Sequence, residues 1–96
     1  MILKNERFHT NGVGGSVCPL LQLFMWQCID EMPPPKDYLQ TFRCMIEDGK
    51  QKIVHEQETP EYKTAYLLSA DTPIFIGKIF VIDDGNHSTM MLAEEY

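Results

Sequence analysis

The most regular alternation of apolar and polar positions lies in the middle of the chain. Tyr38, Gln40, Phe42, Cys44 and Ile46 alternate with Leu39, Thr41, Arg43 and Met45, the period of two that marks a β-strand. Glu47-Asp48-Gly49 follows as a hairpin signal, and Lys52-Ile53-Val54-His55 reads as the returning strand. Upstream the period is helical. Pro19 suits the first position of a helix, Leu20 through Met32 are good helix formers, and Pro33-Pro34-Pro35 stop it near Met32. Before this helix, Arg7-Phe8-His9-Thr10 reads as a short strand running into Asn11-Gly12-Val13-Gly14-Gly15-Ser16, a turn rich in residues that tolerate positive φ.

Residues 59–68 fit two patterns. Thr59-Pro60-Glu61 could cap a helix with Tyr62, Ala65 and Tyr66 on one face, whereas Tyr62, Thr64, Tyr66 and Leu68 alternate as in a strand. Aromatic and Thr side chains, and the need of the preceding hairpin for a neighbour, favour the strand. Ile74 to Ile82 is a β-branched and aromatic run with a bulge expected at Gly77. Asp83-Asp84-Gly85-Asn86 makes a tight turn, and Ser88 to Ala93 returns antiparallel. A helix followed by strands, without alternating βα units, predicts an α+β fold: one main helix packed on an antiparallel sheet of about five strands, as a single domain over 1–96.

On the helix, Leu21, Phe24, Met25, Cys28, Ile29 and Met32 share one arc and should face the sheet. The opposite arc holds Gln22, Gln27, Asp30 and Glu31 together with Leu23 and Trp26. A Trp beside a Leu on the solvent side is a contact hot spot for a partner, unless the N-terminal segment or a loop covers it. Leu23, Trp26 and Asp30 are the candidate interaction surface.

Composition narrows the classes of function. The chain has 96 residues, 44% apolar and 23% charged, which suits one ordinary globular core. Eight Lys and Arg against 14 Asp and Glu give a formal charge of −6, with the basic residues scattered along the sequence. Nucleic acid and anionic membranes reward clustered positive charge, so neither is an expected partner. Cys18, Cys28 and Cys44 are an odd number without zinc spacing, and free thiols suit a reducing compartment. Met1 to Arg7 lacks an apolar signal core and no run is long enough to span a bilayer, which predicts a cytoplasmic protein.

The string Leu21-Gln22-Leu23-Phe24-Met25-Trp26, the segment Asp37-Tyr38-Leu39-Gln40, the run Lys78 to Gly85 and the ending Glu94-Glu95-Tyr96 resemble a family of small uncharacterised proteins of Gram-positive bacteria, domain of unknown function 960. The resemblance spans the helix to the last residue. It implies a bacterial cytosolic protein and carries over no catalytic residues.

Two further groups have chemical potential. Cys18 precedes Pro19, where a helix N-terminus would stabilise a thiolate and the preceding glycines could offer N–H groups to an anion. That stretch lacks the Lys-Ser/Thr of a phosphate-binding loop, and an ordinary capped turn is the simpler account. Asp83, Asp84, His87 and Ser88 could bind a cation or act as acid and base, but the same residues are what a hairpin turn requires. His9 and His55 are lone histidines in expected strands. The reading that follows is a non-enzymatic protein-interaction module without a cofactor, acting on a protein partner or as a homo-oligomer. The alternative is a small enzyme or redox-responsive protein that uses Cys18 or the Asp83, Asp84 and His87 turn.

Overall fold

The computed structural model describes residues 6–96; Met1 to Asn5, most of the stretch read as lacking a signal core, lie outside the described residues. Six strands form one sheet: β1 (Glu6–His9), β2 (Leu39–Glu47), β3 (Lys50–Gln57), β4 (Tyr62–Leu67), β5 (Gly77–Asp83) and β6 (His87–Leu92). Two helices precede β2, α1 (Asn11–Ser16) and α2 (Pro19–Glu31), and a 3₁₀ turn, Ala93–Glu95, closes the chain. The sheet order is β1-β6-β5-β2-β3-β4. All pairings are antiparallel except β1 with β6, which is parallel in the register Arg7 to Ser88 and His9 to Met90. The fold is therefore α+β as expected, with a six-stranded mixed sheet and two helices in place of about five antiparallel strands and one main helix. The parallel pair is possible because both helices lie between β1 and the rest of the sheet, giving the chain enough length to return in the same direction.

The segment expected as a glycine-rich turn is instead α1. Thr10 caps it, its hydroxyl accepting from Val13 N at 3.2 Å, and Val13 is wholly buried. One buried valine and a good cap outweigh the poor helix propensity of three glycines over so short a span. The ambiguous segment is strand β4. The last long strand begins at Gly77, not Ile74: the backbone N–H of Phe75 donates to Gln51 Oε1 at 2.6 Å, which ties residue 75 to a side chain rather than to a ladder.

The core lies between α2 and one sheet face. Leu21, Met25, Cys28 and Ile29 meet Phe42, Cys44, Ile53, Ile79, Val81 and Met90, all essentially without solvent exposure. Phe24 is only half-buried at the edge of this cluster. Gln22 departs from the helical-wheel reading. It is buried, and its amide donates to the carbonyl of Val17 at 2.8 Å, closing the bend between the helices. The same sheet face carries a polar seam no periodicity discloses. His55, without exposure, places Nε2 2.7 Å from Gln40 Oε1, and Gln40 Nε2 donates to Gln57 Oε1 at 2.6 Å. Gln57 in turn donates to the carbonyls of Pro35 and Pro60 and accepts from Asp37 N. These side chains satisfy the backbone of two loops that would otherwise bury unpaired groups.

Candidate interaction surface

Helix α2 begins at Pro19 because proline has no N–H to lose there, and its C-terminal residue is followed by Met32, whose N–H returns to Cys28 O at 3.1 Å before the prolines. The helix presents two flanks. On the first, Trp26 is half-buried, with the Arg7 guanidinium 4.8 Å from its ring centroid. Arg7 also forms a forked ion pair with Asp30, Nη1 to Oδ2 at 3.1 Å and Nη2 to Oδ1. The structure thus brings Trp26 and Asp30 together under a residue of β1. They fasten the edge strand to the helix through a cation–π contact and a bidentate pair, both stronger for being partly desolvated.

Leu23 lies on the other flank, 66% exposed, with Leu20 at 60%. They line a groove of about 400 Å³ with Phe24, Gln27, Leu68 and Thr72. The sequence pattern assigns Phe24 to the sheet-facing arc and Leu68 to a strand, and gives Leu20 no surface role. The available signal was that Leu20-Leu21 and Leu23-Phe24 spread apolar side chains over an arc wider than one sheet contact can cover.

This groove meets the free edge of the sheet. Strand β4 pairs only with β3 among the described strands. The N–H of Leu68 donates to Gln51 O at 2.9 Å, and the register pairs Tyr66 with Ile53 and Thr64 with His55. Antiparallel ladders alternate, so Tyr62, Thr64 and Tyr66 turn their backbone groups toward β3 while Lys63, Ala65 and Leu67 turn theirs outward. These three side chains are exposed as well. An apolar groove and a row of unpaired backbone groups therefore share one corner of the molecule, with Leu68, which lines the groove, directly after the strand.

The remaining sequence candidates resolve into structural roles. Cys18 is the half-buried N-cap of α2 and makes no side-chain capping bond. The amide-rich start of α1 already has its anion: the Glu95 carboxylate accepts from Thr10 Oγ1 at 2.7 Å and Leu92 N at 2.8 Å, contacts that hold its pKa below the usual range. Gly12 sits so close to this carboxylate that a Cβ would lie 2.5 Å from it. Burial pushes the Cys28 thiol up to about 11 and the Cys44 thiol up to about 12, so both stay protonated at neutral pH. Asp83 Oδ1 accepts from Gly85 N, and Asp84 Oδ1 from Asn86 N and His87 N, while Asp84 Oδ2 lies 3.0 Å from His87 Nε2. The N–H groups of His87 and Asn86, in that order, depress the Asp84 pKa, and these bonds fix the turn. His9 is on β1, His55 on β3 and His87 at the start of β6, and neither hollow described in this structure is lined by a histidine or by Cys18. Among the described residues no group of three His, Cys, Asp or Glu side chains is placed to hold a metal ion, and no helix is long and apolar enough to cross a membrane.

Comparison with known proteins agrees with this architecture. A crystal structure of a protein of unknown function from Enterococcus faecalis superposes with a TM-score of 0.81, at 26% sequence identity, covering 99% of this chain and 93% of that one. No curated protein gives a significant match. Over residues 6–95 the chain matches the model of the family described as "Staphylococcal protein of unknown function (DUF960)", and it belongs to that family.

Proposed function

We propose that this protein is a protein-interaction module, and that its docking surface is the α2 groove together with the open edge of β4. The partner it fits is an extended segment with apolar side chains. Such a segment would add to the sheet through the outward backbone groups of Lys63, Ala65 and Leu67 and set side chains against Leu20, Leu23 and Leu68. One observation carries the reading: two leucines more than half exposed on the helix flank that adjoins an unpaired strand edge. Long exposed edges are normally blunted by charge or proline; β4 offers a single Lys and no proline within the strand.

The experiment is affinity capture from a bacterial lysate, followed by binding measurements on the purified candidate. Leu23→Glu and Leu20→Glu alter exposed positions and should leave the circular dichroism unchanged. Both variants are expected to weaken binding at least ~10-fold, since each removes an apolar contact and brings a charge into a dry groove. Equal affinity in the two variants and the wild type contradicts the surface. A dimer that sediments only as wild type would make a second copy of the chain the occupant. No observation favours a reaction centred on Cys18 or on Asp83, Asp84 and His87.

A further inference from the structure

Strand β4 is not only open at its edge; its outward side is complementary to itself. The residues whose backbone groups turn away from β3 are Lys63, Ala65 and Leu67, spaced evenly about Ala65. A two-fold axis through Ala65 brings up an antiparallel copy of the strand. Ala65 then pairs with Ala65, and Lys63 of each copy pairs with Leu67 of the other, giving about six ladder hydrogen bonds. The smallest side chain of the strand sits on the axis, where two identical groups must lie side by side. Between these pairs Tyr66 meets Thr64 of the second copy and Leu68 meets Tyr62, on the face where Tyr66 already touches Phe24 of α2. Cross-strand pairs of aromatic, β-branched and aliphatic side chains are what hold sheets together.

Only this register pairs all three outward residues of both copies within the strand; sliding it either way spends backbone groups on the flanking turns. Charge favours it as well. Lys63 faces Glu56 on β3 within its own sheet, and its aliphatic stem would cover Leu67 of the second copy, 46% exposed in a single chain. The two lysines stand about 14 Å apart along the seam, beyond the ~8 Å Debye length at physiological salt. Just past the strand ends Glu61 is set against Ser69, so no like charges meet. The axis is perpendicular to the sheet, so both α2 helices stay on one face and their exposed Leu20 and Leu23 flank the seam.

We infer that β4 of a second copy occupies this edge and joins the two sheets into one, an inference that rests on the reading of β4 and the α2 groove as the docking surface. A patch that pairs with itself closes at two copies and does not polymerise. The seam is a single strand long, so the dimer dissociates on dilution, and any other extended partner binds by displacing the second copy.

Sedimentation equilibrium from micromolar to millimolar protein, with amide hydrogen exchange at both ends of that range, tests the pairing. A monomer–dimer equilibrium is expected. In the dimer the Lys63, Ala65 and Leu67 amides should slow at least ~10-fold, while Thr64 and Tyr66, already bonded to β3, change little. Position 67 tests the register. Leu67→Glu sets a carboxylate opposite Lys63 of the other copy, Leu67→Lys sets a second cation there, and both lose the leucine. The pair occurs twice in the dimer, so Leu67→Glu should dimerise at least ~10-fold more tightly than Leu67→Lys. Urea unfolding of each variant at low concentration controls for Lys52, the neighbour of position 67 on β3. Equal dimerisation of the two variants overturns the inference, as does a dimer in which the three outward amides stay fast. A chain that is monomeric throughout overturns the second copy as occupant; the docking edge itself then stands if a captured partner protects the same amides, and falls if it does not.

Discussion

His55 makes the structure's most quantitative prediction. Its ring has no solvent exposure, stacks on Phe42 at 4.4 Å between centroids and meets the Tyr62 ring edge-on at 5.3 Å. Gln40 Nε2 is spent as a donor to Gln57 and to the Asp37 carbonyl, so Gln40 Oε1 can only accept. His55 Nε2 must then carry the proton, and Nδ1 is left buried without a hydrogen-bond partner. Charging the ring would bury a second N–H that has nothing to donate to. Burial accordingly pushes the pKa from 6.5 down to about 4.

Above pH 6.5 the imidazole is neutral in both the folded and the unfolded chain and stability is insensitive to it. As the pH falls below 6.5, only the unfolded chain takes up the proton, so stability declines until the folded protein titrates near pH 4. At about 1.4 kcal/mol per pH unit, that interval corresponds to about 3 kcal/mol. The figure is a large part of the ~5–15 kcal/mol typical of a domain. Urea unfolding from pH 7.5 to pH 4 would measure it in wild type and in His55→Gln, which keeps a donor for Gln40 but cannot titrate. Exposed carboxylates such as Asp71, Asp84 and Glu95, held below the usual range by hydrogen bonds, are common to both proteins and cancel in the difference. The two curves should converge by about 3 kcal/mol between pH 7 and pH 4. Parallel curves would refute the neutral, orphaned imidazole.

Three further outcomes are expected. Gly49→Ala should destabilise the protein by about 1 kcal/mol in urea unfolding, because Asp48 and Gly49 form a two-residue hairpin turn with φ of 54° and 74°, a left-handed pair that alanine resists. Arg7→Met should shift Trp26 fluorescence, since the guanidinium over the indole is removed while an apolar cover remains; an unchanged spectrum would contradict the cation–π contact. Under native conditions near pH 8 a thiol reagent should modify Cys18 well before Cys28 and Cys44, which are buried and protonated and should react only on unfolding.

The sequence disclosed those elements whose period is set by one buried face. Phe42 and Cys44 alternate with Thr41 and Arg43 because β2 has α2 on one side and water on the other. The α2 boundaries were legible from Pro19 and the triple proline, and the Asp48-Gly49 turn from its chemistry. Tertiary context decided the rest. Gln40, Gln51 and Gln57 occupy inward positions because they bind loop backbones that only the fold brings to them, and His55 because it bonds the Gln40 side chain. Three glycines signalled a turn, yet Thr10 and Val13 made a helix of it. Trp26 looked solvent-facing on the helix alone, and the Arg7 that reaches it belongs to a parallel edge strand, a pairing that local pattern does not encode.

Amide hydrogen exchange along β4 tests the central claim most directly. In the free protein, Thr64 and Tyr66 should exchange slowly, while Lys63, Ala65 and Leu67, facing the open edge, should exchange fast. On addition of the captured partner, those three amides should slow at least ~10-fold together with changes at Leu20 and Leu23. Protection that appears elsewhere, with Lys63, Ala65 and Leu67 still exchanging as in the free protein, would contradict docking at this edge.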